Sequence, residues 1–251
     1  VVAGLIEDDQ GRVLVGQRLP GTHMAGFWEI PGGKCRLEES SRDALDRELC
    51  EELGGRERLM CLETDVRNPV AVNDMIAATN EKFGRLDAAV ANAGIVLGQT
   101  PFADITLDDW DKMIGTNLRG VFITIQAACK LLLKQGEGGS LLATGSSTAI
   151  RVAPGLTSYI AAKGGVHMMM QALALELAEH KIRVNTIVPG TTRTAMTEGL
   201  PGYLEKVAPT LPMGEVVEPY ELANFVAFAL SDEAPHLTGT LLKVDAGRVL
   251  S

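Results

Sequence analysis

Aromatic residues are scarce in this chain, 4% of 251 positions, while hydrophobic residues make up 46%, mostly Ala, Leu and Val. A core of that kind suits helices packed on a sheet and argues against an aromatic-rich β-sandwich. Positive charge is in the minority: 23 Lys and Arg against 32 Asp and Glu leave a net charge of -9. That excludes the basic face that nonspecific nucleic-acid binding needs, so no nucleic-acid polymer is expected as a partner. No apolar run is long enough to span a bilayer, so no membrane partner is expected either. No basic start followed by a short apolar stretch marks a signal peptide. The four cysteines, Cys35, Cys50, Cys61 and Cys129, form no CxxC pair, and the four histidines offer no zinc set. Reduced, structural cysteines without a targeting segment predict a cytoplasmic location.

What is present falls into two stretches that meet near residue 55. In the first, the apolar runs Val1–Ile6 and Val13–Val15 flank the polar turn at Asp8 to Gly11, a β-hairpin signal. After a loop rich in Gly and Pro, Ser40 or Ser41 caps a helix that stops at Gly54-Gly55, with Leu45, Leu49 and Leu53 as its apolar stripe. In the second stretch, strand and helix signals alternate. Strands are expected at Leu59–Leu62, Leu86–Ala91, Ser140–Thr144, Arg183–Val188 and Thr240–Val244. Helices are expected at Pro69–Phe83, Leu107–Leu133, Tyr159–Glu179 and Pro219–Leu230. This alternation predicts an α/β, Rossmann-like fold: a mostly parallel sheet with helices on both faces.

The helix before residue 55 carries Glu48, Glu51 and Glu52 at i, i+3 and i+4, on one face. Three crowded carboxylates repel one another unless a cation sits among them, and hard oxygen ligands suit Mg²⁺ or Mn²⁺. An ordinary solvated acidic face fits the same residues. Gly33, Glu39 and the run Arg47-Glu48-Leu49-Cys50-Glu51-Glu52-Leu53-Gly54, at their spacing, resemble a complete Nudix box, and the preceding Gln17-Arg18, His23-Met24-Ala25 and Trp28-Glu29-Ile30-Pro31-Gly32-Gly33-Lys34 resemble its MutT branch. The resemblance implies that Gly33, Glu48, Glu51 and Glu52 hold Mg or Mn. It also implies that Arg18 and His23 lie near a nucleotide and that the activity is hydrolysis of a nucleoside (tri)phosphate. It departs from that family at Gly55 and ends there, without the residues that grip the base.

Further on, Tyr159 and Lys163 stand at i, i+4 and so share a helix face. A free Tyr is a poor base at neutral pH, and a nearby ammonium favours its phenolate, after which it can exchange a proton with a substrate oxygen. A lone pair of this kind is ordinarily a surface contact. Here Asn92-Ala93-Gly94, Asn117, Ser146, the Tyr159/Lys163 pair, Pro189-Gly190 and Val244-Asp245 follow in order. Together they resemble the short-chain dehydrogenases/reductases over residues 56–251.

That resemblance implies hydride transfer between NAD or NADP and a small carbonyl or alcohol substrate, in a homo-oligomer. It gives Tyr159 the acid/base role, Ser146 the substrate oxygen, Lys163 the nicotinamide ribose and Asn117 a water of the proton relay. Asp65 and Val66 are implied at the adenine, Asn92, Ala93 and Gly94 at the sheet centre, and Val188 and Thr194 at the carboxamide. The family's opening strand, Gly-rich turn and helix have no counterpart in the chain. Residues 1–55 are therefore read as an incomplete Nudix-like segment that replaces this unit, and 56–251 as the reductase-like domain. The Leu45, Leu49 and Leu53 stripe is expected to dock on the sheet in place of the lost helix. Oxidoreductase, metal-dependent hydrolase and a folded chimera with neither activity all remain open at this point. Met168 to Met170 and His167 are read as core or subunit interface.

Overall fold

The computed structural model describes residues 16–17, 28–29, 60 and 62–251. Strands β1 (Gly16–Gln17) and β2 (Trp28–Glu29) pair antiparallel, Gly16 opposite Glu29 and Gln17 opposite Trp28. The elements that follow are α1 (Pro69–Phe83), β3 (Ala88–Ala91), α2 (Leu107–Ile114), α3 (Val121–Gln135), β4 (Gly139–Thr144) and α4 (Thr157–Leu177). Next come β5 (Ile182–Pro189), the short helices α5 (Ala195–Glu198) and α6 (Tyr203–Val207), α7 (Pro219–Leu230) and β6 (Leu241–Val244).

Strands β3, β4, β5 and β6 form a parallel sheet in that order. Parallel neighbours need helical crossovers, and α2–α3, α4 and α7 supply them. Side chains of successive strand residues point to opposite faces. Ala89, Ala91, Leu141, Ala143, Ile182 and Val184 accordingly join one core with α1, α3 and α4. Ala88, Leu142, Ile187 and Leu242 join a second core with Val226, Ala229 and Leu230 of α7. Strand β2 lies against α7. The expected α/β architecture is therefore present, with an apolar sheet covered on both faces.

Local signals explain the element ends. The Asn68 side chain accepts from the Val70 and Ala71 N–H groups, Pro69 opens α1, and Gly84 closes it in a left-handed conformation. Glu218 and Glu221 make a reciprocal capping box at the start of α7. Two details differ from expectation. Of the apolar positions the sequence offers in α1 (Val70, Val72, Ile76 and Phe83), Val72 and Ile76 turn inward as expected, while Val70 is 65% exposed. Met60 and residues 62–65 are not in a strand. A strand needs a ladder partner, and among the described residues none stands beside them. The first hairpin, the Ser40–Leu53 helix and its leucine stripe lie outside the described residues.

Arg183 ties the bottom of β5 to the end of α7. Its guanidinium donates to the carbonyls of Ala229, Leu230, Ser231 and Leu237. The first three are helix-end carbonyls that have no partner within α7, Leu237 lies in the loop beyond, and a cation belongs at this end of the dipole. Arg183→Met keeps the aliphatic stem and removes every donor. Each lost charged hydrogen bond costs about 1.5–3 kcal/mol when fully buried, and this side chain is half-buried. We expect chemical denaturation to show a loss of about 2–4 kcal/mol with an unchanged m-value.

Candidate active site

The C-terminal ends of β3 and β4 meet the N-terminal half of α4, the edge at which open parallel sheets take ligands. Between α2 and α3 the helix widens into a π-helical stretch, Gly115–Gly120. Asn117 sits in it and is fully buried. Its Oδ1 accepts the Ile95 N–H at 2.8 Å, and its Nδ2 donates to the Ile95 carbonyl at 2.8 Å and to Met113 Sδ at 2.8 Å. The side chain thus pins the segment after β3 to the helix as a peptide unit would.

Gly94 lies directly above this arrangement. A Cβ there stands 3.0 Å from Asn117 Oδ1 and 3.6 Å from Lys163 Nζ. Any side chain at position 94 intrudes between them. Asn92 Oδ1 accepts the Thr144 hydroxyl at 2.7 Å, joining the ends of β3 and β4.

Helix α4 places Tyr159, Lys163 and His167 on one face, four residues apart. Lys163 is buried, and its Nζ donates to the Thr144 carbonyl at 2.6 Å. It lies 5.9 Å from the Tyr159 ring centroid. Burial lowers the Lys163 pKa to about 8. Burial also pushes the half-buried Tyr159 phenol up, while a hydrogen bond with Ser146 acts in the opposite sense. Ser146 is 7% exposed, in extended backbone, with its Oγ accepting the Thr148 N–H at 3.2 Å. Ser147 is buried in the short helical turn that follows.

The Lys163 shift has a measurable sign. The folded state releases this proton near pH 8, whereas the unfolded chain holds it to about 10.5. Between those values the unfolded state binds more protons, so stability rises with pH. The cost of burying the ammonium is fully present below pH 8 and is relieved above it. We expect the wild type to gain up to about 3 kcal/mol between pH 8 and 10 relative to Lys163→Met, read by urea titrations at each pH.

The structure brings Asn117, Ser146, Tyr159, Lys163, Asn92 and Gly94 to one place. The other residues singled out in the sequence have the following surroundings. Val188 is fully buried in β5. Thr194 is exposed, and its N–H donates to the Thr197 hydroxyl oxygen at 3.0 Å, at the start of α5. Val66 packs over Gly120, where a Cβ meets Val66 Cγ2 at 2.8 Å. Asp65 is exposed, and its bonds to Arg67 hold its carboxyl at about 2. A surface hollow lined by Leu132, Gly136, Glu137 and Lys181 lies at the opposite end of the strands, away from this chemistry. His167, read from the sequence as core or subunit interface, is buried and accepts the Ser146 backbone N–H. Its i+4 spacing from Lys163 is the only signal that pointed to it.

Comparison with known proteins gives this geometry its context. A family model described as Enoyl-(Acyl carrier protein) reductase matches residues 35–248. A putative short-chain type dehydrogenase/reductase of Mycolicibacterium smegmatis is 37% identical over 240 residues, covering 86% of each chain. The chain belongs to the short-chain dehydrogenase/reductase family. As a member of it, the protein is an NAD(P)-dependent oxidoreductase. An L-rhamnose 1-dehydrogenase (NAD(P)(+)) of Sphingomonas is 35% identical over 194 residues, 76% of each chain. A 3-ketoacyl-(acyl-carrier-protein) reductase of Brucella melitensis, solved in complex with NADH, aligns with TM-score 0.70 at 32% identity. That alignment covers 74% of this chain and 76% of that one.

The Nudix reading finds no support in these comparisons. Gly33, Glu48, Glu51, Glu52, Arg18 and His23 lie outside the described residues. The reductase match begins at residue 35 and so runs through Arg47–Gly54, the core of the proposed box. Among the described residues no group of three or more His, Cys, Asp or Glu is placed to hold a metal ion. None of their helices is long and apolar enough to cross a membrane.

Proposed function

We propose that this protein moves a hydride between a nicotinamide cofactor and a small carbonyl or alcohol, with Tyr159 as the acid/base. The observation that carries the reading is the convergence of Tyr159, Lys163, Ser146 and Asn117 at the C-terminal edge of the sheet, beside Gly94. A Cβ at position 94 would stand 3.0 Å from Asn117 Oδ1 and 3.6 Å from Lys163 Nζ, so the bare glycine leaves room beside the ammonium. An ammonium has three N–H donors, and the Thr144 carbonyl takes one. The residues present therefore fit a ribose hydroxyl beside Lys163 and Gly94.

The nicotinamide, when bound, supplies or accepts the hydride. Every other task falls to the chain. Ser146 Oγ and the Tyr159 hydroxyl grip the substrate oxygen. In reduction Tyr159 gives its proton to that oxygen, and in oxidation it takes one from it. A charged Lys163 close to the ring stabilises the phenolate left behind. Asn117 holds the segment after β3 and orders the path by which the proton returns. Asn92, Ala93, Val188 and Thr194 border the cofactor in this reading, with Asp65 and Val66 at its far end.

The division into residues 1–55 and 56–251 belongs to the same proposal, and the family match from residue 35 argues for an earlier boundary. We further propose a cytoplasmic homo-oligomer. Phe122 of α3 and Met168 and Leu175 of α4 are 46%, 60% and 84% exposed, a pattern typical of surfaces that meet another chain.

The test is a coupled assay with L-rhamnose and NAD⁺ or NADP⁺, and with an acetoacetyl thioester and NADH or NADPH. Turnover with neither pair of reactants rejects both substrate classes. Calorimetry addresses the cofactor separately. Without a Gly-rich turn the pyrophosphate forgoes two or three charge-assisted hydrogen bonds of about 1.5–3 kcal/mol each, which weakens binding by a few powers of ten. We expect NADH affinity no better than high micromolar. Sub-micromolar binding overturns this expectation.

A further inference from the structure

We infer that His167 is a positioning residue of this site, whose Nε2 accepts the Ser146 backbone N–H and thereby fixes where the Ser146 hydroxyl stands. The inference rests on the reading of Ser146 and Tyr159 as the reacting pair.

The geometry is specific. The strand end Thr144-Gly145-Ser146 is held at each of its three residues. The Thr144 carbonyl takes Lys163 Nζ at 2.6 Å. The Gly145 N–H donates to the Ile187 carbonyl at 2.8 Å. The Ser146 N–H donates to His167 Nε2 at 3.2 Å. Two of the three anchors come from one face of α4, the face that also carries Tyr159. The helix that presents the acid/base therefore also sets the backbone that presents its serine partner, so the two cannot drift apart independently.

His167 is 3% exposed. The imidazole occupies the space that the absent side chain of Gly145 leaves open: a Cβ there stands 2.3 Å from Nε2 and 2.8 Å from Thr186 Cγ2. A backbone N–H can only donate, so Nε2 must carry its lone pair, and the ring is neutral with its proton on Nδ1. Burial and the nearby Lys163 charge both hold the His167 pKa below its usual value, which keeps that form in place. A merely space-filling side chain has no need of an acceptor here. An apolar one of similar size leaves the buried Ser146 N–H unpaired, and the segment relaxes to find another partner.

The test uses the full chain and two substitutions. His167→Gln keeps an acceptor oxygen near the Nε2 position, and His167→Leu removes it. In ¹⁵N-labelled wild type we expect a scalar coupling across the hydrogen bond between Ser146 N and His167 Nε2, with the imidazole proton on Nδ1. A proton on Nε2, or no coupling, overturns the inference. With ¹³Cζ-labelled tyrosine, His167→Leu is expected to move the Tyr159 titration upward, as Ser146→Ala does, while His167→Gln leaves it in place. A folded His167→Leu whose Tyr159 titrates as in wild type also overturns the inference. Both readouts are independent of turnover. If the wild type reduces the acetoacetyl thioester with NADPH, His167→Leu should lower kcat on the order of tenfold or more with KM for NADPH unchanged, and His167→Gln should restore most of it. Equal losses in the two variants overturn the positioning role. A wild type inactive on this substrate counts against the activity assignment alone, because the coupling and the tyrosine titration still decide the His167–Ser146 contact.

Discussion

Tyr159→Phe is expected to lower kcat by about 10²–10⁴-fold, the range that a positioned general acid or base contributes. The substitution removes one oxygen from a half-buried ring and leaves the α4 face otherwise intact. Cofactor affinity should hold within about a factor of two by fluorescence titration, because Lys163 stays bound to the Thr144 carbonyl. Stability should change little: the phenol loses a hydrogen bond to Ser146 but no longer needs one. A variant that keeps more than a tenth of the wild-type kcat would remove Tyr159 from the reaction. The direction of the pH dependence is a second check. Burial holds the phenol above its ordinary value, so Tyr159 is protonated at neutral pH and ready to donate. Reduction should therefore persist to higher pH than a free phenol allows, and the oxidation rate should climb as the phenol ionises.

Asn117→Leu carries the largest expected stability effect. The leucine occupies a similar volume and matches none of the polar partners. It strands the Ile95 N–H and the Ile95 carbonyl in a site where Asn117 is fully buried. Each abandoned group costs about 1–3 kcal/mol when fully buried; Ile95 is half-buried, which makes about 6 kcal/mol the ceiling of the loss in urea unfolding. Asn117→Asp should be milder in shape but worse in charge. It keeps the acceptor for the Ile95 N–H and turns the donor aimed at the Ile95 carbonyl into a second acceptor. Activity should fall in both, because the Ile95 segment adjoins Gly94 and the Lys163 ammonium. If Asn117→Leu unfolds at the wild-type urea concentration, the peptide-like bridge is not what holds this segment.

Punctuation made much of the fold legible. Pro69 with Gly84, and Pro219 at the start of α7, bound their helices at the residues where the structure ends them. Periodicity found β4 and β5 within a residue or so, because both are apolar on two faces and stand between clear turn signals. Strand pairing was not legible. Leu59–Leu62 has the composition of a strand, yet its described residues, Met60 and Leu62, lie in none: a strand exists only where a neighbour offers its backbone, and sequence alone says nothing of that neighbour. The site divides in the same way. Tyr159 and Lys163 were readable because both lie on one helix at one-turn spacing. His167 continues that spacing, yet its partner is a main-chain N–H 21 residues earlier, and main-chain donors leave no mark in a sequence. Asp65 was read as a ligand contact, and in the structure it turns back on Arg67 two residues later, a local bond that Asp makes readily at a helix approach.

The widened turn at Gly115–Gly120 has a consequence for what lengths of chain this site tolerates. Each helical residue rotates the next by about 100°, so an extra residue accommodated in one turn resets the phase of everything before it. Here it lets Asn117 face Ile95 while Val121, Ile125 and Leu132 still face the sheet core. Deleting one residue from this stretch would restore a regular helix and improve its local hydrogen bonding. It would also swing α2 and Met113 about a quarter-turn away from the segment that Asn117 holds. The stretch therefore tolerates substitutions in its exposed positions far better than any change in its count, and a chain shortened there by a single residue should fold around the same sheet with its proton path disconnected.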